Sequence, residues 1–163
     1  MATDAKQPLA QELLDLCRAK NVTVTAAESC TGGLVAAAIT DIAGSSAIFE
    51  RGFVTYSNTA KAEMIGVSPK TLEAHGAVSE EVAIEMATGA RAAAGADVAV
   101  AITGIAGPGG SAFKPEGRVC FSTVSPGGSL TETVEFGALG RSNVRHAARD
   151  HALARLIEAA KAL

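Results

Sequence analysis

The stretch VTVTAAESCTGGLVAAAIT, residues 22–40, decides the fold. Its first part, Val22 to Ala27, is short, apolar and rich in β-branched residues, as a buried strand is. Its last part, Gly32 to Thr40, reads as a helix. Between them lies a polar, glycine-containing turn. A buried strand running straight into a helix is the opening of an α/β unit, and the flanking sequence continues the alternation.

Upstream, Pro8 to Lys20 carries Leu9, Leu13, Leu16 and Cys17 at helical spacing. Downstream, Phe53 to Tyr56 reads as a second strand. A helix follows, with Asn58 as the expected N-cap, Ala60 to Ile65 as its body and Gly66 as its C′ residue. Ser68-Pro69 opens another helical turn. Ser79 caps a longer helix to about Ala94, with Glu80 and Glu81 against the positive end of its dipole. Val98 to Thr103 is a buried strand. Gly117 to Val124 and Leu130 to Phe136 form a strand pair around the turn Pro126-Gly127-Gly128. Arg141 to Ala162 is a long final helix. The expected architecture is a three-layer α/β/α sandwich on a mixed, mostly parallel sheet, in one domain spanning residues 1–163.

Composition narrows the function. The chain has 163 residues, 48% of them hydrophobic and 19% charged, which suits one globular core. A net charge of -3 argues against a duplex-binding surface, and 4% aromatic content against a base-stacking platform. No apolar run reaches membrane-spanning length, and Met1 to Pro8 has no apolar core, so no signal peptide is expected. Cys17, Cys30 and Cys120 are odd in number and lack a CxxC spacing. They suggest a reducing, cytoplasmic compartment without a disulfide framework or zinc site. His75, His146 and His151 form no metal pattern, so neither a metal nor an organic cofactor is expected.

In open α/β sheets, ligands gather at the carboxyl ends of the strands, and three such ends here carry unusual residues. In Ala27-Glu28-Ser29-Cys30-Thr31-Gly32-Gly33, the Ser29 hydroxyl would sit at the rim beside helix N-terminal N–H groups that could hold an oxyanion. Equally, Ser29 or Thr31 could simply cap the helix. In Tyr56-Ser57-Asn58-Thr59-Ala60-Lys61, the expected cap puts Lys61 at N3. There the dipole disfavours its charge, though by only about 0.3–1 kcal/mol. Burial is needed as well to make it a base, and a solvated lysine is the alternative. Tyr56 could orient that lysine, relay a proton, or merely pack. Thr103 to Gly110 is a Gly-rich loop able to approach a phosphate or flat ring, and is neither a Walker motif nor a dinucleotide fingerprint. On the final helix, Arg141, Arg145 and Arg149 flank the line Val144, Ala148, Ala152 and Leu156. One of them could reach a ligand, or all could form a solvated stripe paired with Asp150 or Glu158. Cys30 reads as packing.

Seven blocks together resemble the CinA carboxy-terminal-domain family. They are A-E-S-C-T-G-G at 27–33, D-I-A-G-S-S at 41–46, G-F-V-T-Y-S-N-T-A-K at 52–61, G-A-V-S-E at 76–80, T-G-I-A-G-P at 103–108, K-P-E-G at 114–117 and G-R-x-x-V-R at 140–145. The family's characterised enzymes are nicotinamide-nucleotide amidohydrolases on an α/β/α sandwich. The resemblance implies a Ser-Lys-Tyr site at Ser29, Lys61 and Tyr56, and substrate contacts from Thr103, Gly104 and Arg141, with Arg145 as a further candidate. Gly32 and Gly107 join the expected substrate contacts through their open backbone. The chain departs from the family pattern at Glu116, usually Val, and in a Gly-rich loop one residue shorter. It lacks the length for the amino-terminal pyrophosphatase domain of some relatives, so that activity is not expected.

The expected reaction is hydrolysis of the carboxamide of nicotinamide mononucleotide to nicotinate mononucleotide and ammonia. Its partner is thus a small mononucleotide rather than nucleic acid or membrane. A homodimer is the working expectation, with no residue pattern behind it. The rival reading is a non-catalytic nucleotide-binding accessory protein linked to competence or DNA damage. A Ser-Lys peptidase or β-lactam hydrolase is disfavoured because no S-x-x-K spacing joins Ser29 to Lys61.

Overall fold

The computed structural model describes residues 7–111 and 113–163, so most of the signal-peptide reading at Met1 to Pro8 lies outside the described residues. Five strands form one sheet: β1 (Val24–Glu28), β2 (Phe53–Val54), β3 (Val98–Gly104), β4 (Arg118–Ser125) and β5 (Gly128–Glu135), in the order β2-β1-β3-β4-β5. β1 pairs in parallel with both β2 and β3, while β4 runs antiparallel to β3 and to β5. β4 is therefore the one reversed strand, and the sheet is mixed, as expected from its closing hairpin.

Alternation along β3 explains the three layers. Val98, Val100 and Ile102 face one side, where α1 (Pro8–Lys20), α2 (Leu34–Thr40) and α6 (Arg141–Lys161) bring Leu13, Val35, Ile39, Val144, Leu153 and Leu156. Ala99 and Ala101 face the other, under α3 (Asn58–Ile65), α4 (Pro69–His75) and α5 (Glu80–Ala94), with Ile65, Leu72, Val82 and Met86. Both faces of the central strands are buried, which is why they read as continuous apolar runs. Among the described residues no helix is long and apolar enough to cross a membrane.

Several boundaries differ from expectation by a residue or two, and four of them have a local reason. The N-cap of α3 is Ser57, not Asn58. Ser57 has extended backbone, and its Oγ accepts from the Ala60 N–H at 3.0 Å, while Asn58 is already helical. Lys61 is therefore at N4, where the dipole contributes less. β2 stops at Val54, leaving Tyr56 beyond the strand and 60% exposed. α2 begins at Leu34, with Gly33 at the cap position and neither Ser29 nor Thr31 capping it. The hairpin turn is only Pro126-Gly127, because Ser125 and Gly128 already pair across the strands.

Candidate active site

β1 ends at Glu28, and the next residue, Ser29, emerges at the carboxyl edge of the sheet. Neighbouring β2 is in register through Ala27 with Phe53 and Glu28 with Val54. One residue further, the Thr55 N–H donates to the Glu28 carbonyl at 2.8 Å. This pairing carries the start of α3 to Ser29. Lys61, in the first turns of α3, extends beneath it. Its Nζ lies 3.0 Å from Ser29 Oγ and donates to the Thr55 carbonyl at 2.9 Å.

Lys61 is 1% exposed, and its hydrogen-bond partners among the described residues carry no charge. Burial pushes its ammonium below the ordinary lysine value of 10.5, against a small opposing influence from Cys30. Desolvation thus supplies what the helix dipole alone could not. With one N–H on the Thr55 carbonyl, a neutral amine keeps a lone pair free to accept the Ser29 hydroxyl proton.

The strand-to-helix turn is organised by a residue that the sequence reading passed over. Glu28 is 1% exposed, and its carboxylate accepts from the N–H groups of Gly33 (3.2 Å), Val35 (2.9 Å) and Ala36 (3.0 Å). The anion expected at the start of α2 is therefore this internal carboxylate. The Ser29 N–H goes to the Ile102 carbonyl, that of Gly32 to Ser29 and that of Leu34 to Thr31. Among the described residues, the N–H groups of Cys30 and Thr31 have no oxygen partner, and they directly follow Ser29 in sequence.

A cavity of about 400 Å³ opens over this dyad, within the usual size for a small-ligand site. Ser29, Lys61, Tyr56, Thr103, Gly104, Gly107 and Arg141 all line it, so seven of the nine expected site residues meet there. Thr103 Oγ1 donates to the Ala77 carbonyl at 2.8 Å, drawing the 76–78 segment in as a wall. Arg141 donates to the Gly107 carbonyl at 2.7 Å and to the Tyr56 hydroxyl at 2.9 Å. The Tyr56 hydroxyl is thus engaged by Arg141, and the expected Tyr56–Lys61 contact is not among the described hydrogen bonds.

Two expected substrate contacts fall outside the cavity lining. Arg145 turns its guanidinium onto the carbonyls of Cys30 (3.0 Å) and Thr31 (3.1 Å), bracing the serine turn from behind. Gly32 lies under that guanidinium with φ +58°, and its N–H closes the turn onto Ser29. Of the stripe, only Arg149 makes the surface ion pair foreseen with Asp150; Glu158 pairs with Arg155 instead. Cys30 lines the cavity, but burial pushes its thiol up to about 11, so it is a poor nucleophile near neutrality.

The departures in the Gly-rich loop have visible consequences. Glu116 packs across Gly107, where an added Cβ would lie 1.9 Å from its carboxylate oxygen. Ser111 and Lys114 close the loop through paired backbone hydrogen bonds of 3.0 and 2.8 Å. Gly110 lies so near that its Cβ would fall 2.3 Å from the Lys114 carbonyl. The clamp fixes Lys114, which lines the cavity and donates to the carbonyls of His75 (2.8 Å) and Val78. Lys114 sits in the K-P-E-G block, whose lysine carried no chemical signal beyond its charge.

A family model described as the CinA C-terminal domain matches residues 6–160. A relative from Escherichia coli K12, "Nicotinamide-nucleotide amidohydrolase PncC", is 56% identical over 146 residues, covering 89% of this chain and 88% of its own. One of the same name from Enterobacter agglomerans is 62% identical over 123 residues, 75% of each chain. The crystal structure of the competence/damage inducible protein CihA from Agrobacterium tumefaciens superposes with a TM-score of 0.90 at 48% identity, covering 93% of both chains.

Proposed function

The chain belongs to the CinA C-terminal domain family, and on that premise we propose that it is a nicotinamide-nucleotide amidohydrolase using Ser29 as nucleophile and Lys61 as base. The observation that carries the mechanism is the 3.0 Å contact between Ser29 Oγ and a buried Lys61 Nζ with no carboxylate beside it. Neutral Lys61 takes the Ser29 proton as Oγ attacks the carboxamide carbon of the nicotinamide mononucleotide. The carbonyl oxygen becomes an oxyanion, and the N–H groups of Cys30 and Thr31 are its proposed donors. Lys61 then returns the proton to the departing nitrogen, the C–N bond breaks, and ammonia leaves. Water, deprotonated by Lys61, attacks the acyl-enzyme; the ester bond to Oγ breaks, Lys61 returns the proton to Oγ, and nicotinate mononucleotide leaves.

An anionic substrate fits the cavity, whose lining includes Arg141 and Lys114 but no Asp or Glu, in a chain of net charge -3. Arg141 is the proposed phosphate contact, since its described partners are neutral oxygens. Tyr56 is assigned to the same end of the substrate, through its bond to Arg141, rather than to the proton relay. Ammonia release from nicotinamide mononucleotide, by the parent and by Ser29→Ala, tests the reading. The parent should release one ammonia per nicotinate mononucleotide formed, and Ser29→Ala should release none while melting at nearly the parent temperature. Turnover by folded Ser29→Ala moves the nucleophile elsewhere. Binding without ammonia release by the parent favours the accessory-protein reading.

A further inference from the structure

We propose that Lys114 is a second phosphate contact, closing with Arg141 on the monoester dianion of the substrate. The inference rests on the mononucleotide reading above and names the group that recognises its charged end. Lys114 and Arg141 approach the cavity from different supports, Lys114 against His75 and Val78 and Arg141 against Gly107 and Tyr56. All four partners of these cations are neutral, and neither cation makes a salt bridge among the described residues. Elsewhere Arg51, Arg118, Arg149, Arg155 and Lys161 each have a carboxylate, while Arg18, Lys20, Lys61, Lys70, Arg91 and Arg145 make no salt bridge among the described residues and do not line this cavity, Lys61 excepted. Lys114 also borders a second cleft lined by Glu80 and Glu81, but neither carboxylate forms a salt bridge with it, and two cations facing one cavity present a field that a dianion completes.

Donor count agrees. An ammonium has three N–H groups; two of those on Lys114 go to carbonyls and one is left for a ligand. Arg141 has five N–H groups, with described bonds from two of its nitrogens. The Gly110 contact and the Ser111–Lys114 backbone pair hold the lysine in place before substrate arrives, so little ordering is needed on binding.

A structural alternative exists: Lys114 could serve only to tie the Gly-rich loop to the 75–78 segment. The phosphate-free riboside separates the two roles, because a tie matters equally to both substrates. The experiment measures kcat/KM for nicotinamide mononucleotide and nicotinamide riboside in the parent, Lys114→Gln and Arg141→Ala. Lys114→Gln should lower mononucleotide hydrolysis about ten- to a hundredfold more than riboside hydrolysis, as expected for one charge-assisted hydrogen bond to the phosphate. Equal losses on both substrates, or no loss on either, overturn the inference. A parent that hydrolyses both equally well undermines the phosphate reading itself. A parent preference lost in Arg141→Ala but kept in Lys114→Gln leaves that reading standing and removes Lys114 from it. Where Lys114→Gln does not fold, Lys114→Arg decides by the same ratio: a change at constant riboside turnover supports the contact, and an unchanged ratio overturns it.

Discussion

Replacing Lys61 by Met should abolish ammonia release and remove a pH dependence of stability that burial of the amine builds in below 10.5. Free lysine titrates near 10.5, and burial holds Lys61 below that in the folded chain. The unfolded state therefore binds more protons than the folded one in the interval between the two values. Stability from this group rises through that interval by about 1.4 kcal/mol per pH unit. Below the folded value the full handicap is present; above 10.5 it is gone. Methionine, similar in length and uncharged, removes it at every pH. Against this, the variant loses the bonds to Ser29 and Thr55, and the Thr55 carbonyl, on a residue with 0% exposure, is left unpaired. That loss is about 1–3 kcal/mol. The variant is therefore the less stable protein near pH 10.5, and it gains on its parent as pH falls toward the folded value. Urea denaturation of both proteins from pH 6 to 10 measures the difference, and other titrating groups, common to both, cancel. A stability difference that does not change with pH, or one that moves in the parent's favour as pH falls, would refute the argument that Lys61 is held against its charge.

Glu28→Gln should destabilise by about 2–4 kcal/mol in urea titrations. The amide keeps one acceptor oxygen but turns an NH2 toward the Ala36 N–H, losing a charge-assisted bond and orphaning a donor; a loss under 1 kcal/mol would show that the carboxylate does not organise the turn. Cys30→Ala should keep ammonia release within a few-fold of the parent, because a thiol pushed up to about 11 is protonated at working pH. Loss of turnover in a folded Cys30→Ala protein would put the thiol in the chemistry.

The layers were legible because periodicity reports burial directly: Val98 to Thr103 is apolar on both faces, and Arg141 to Lys161 keeps Val144, Ala148, Ala152 and Leu156 in line. The meeting of Ser29, Lys61, Thr103 and Arg141 was legible only through the order of motifs, since no local spacing brings residues 29, 61, 103 and 141 together. Glu28 was missed for a physical reason. Just past the expected end of the strand, in a serine turn, a glutamate reads as a rim residue, and its forward reach to α2 depends on the turn's tertiary path. Arg145 was a further ligand candidate because, one helical turn from Arg141, it shares the same flank; the structure turns it onto the Cys30 and Thr31 carbonyls instead of into the cavity lining. The Ser57 cap was hidden by Asn58, an equally good capping residue one position on.

The single hydrogen bond from Thr55 to Glu28 makes activity a clock for folding. Ser29 and Lys61 are 32 positions apart in the chain, and they meet only when the short β2 docks on β1, whose other edge is held by β3 from residue 98 onward. Closing such non-local parallel pairings is the slow part of assembling a sheet. A collapsed chain with every helix formed but β2 undocked has a serine without a base and a lysine in water, charged. It is silent rather than sluggish. The return of ammonia release during refolding will therefore lag behind the return of helical signal, and the interval between them times the docking of a two-residue strand.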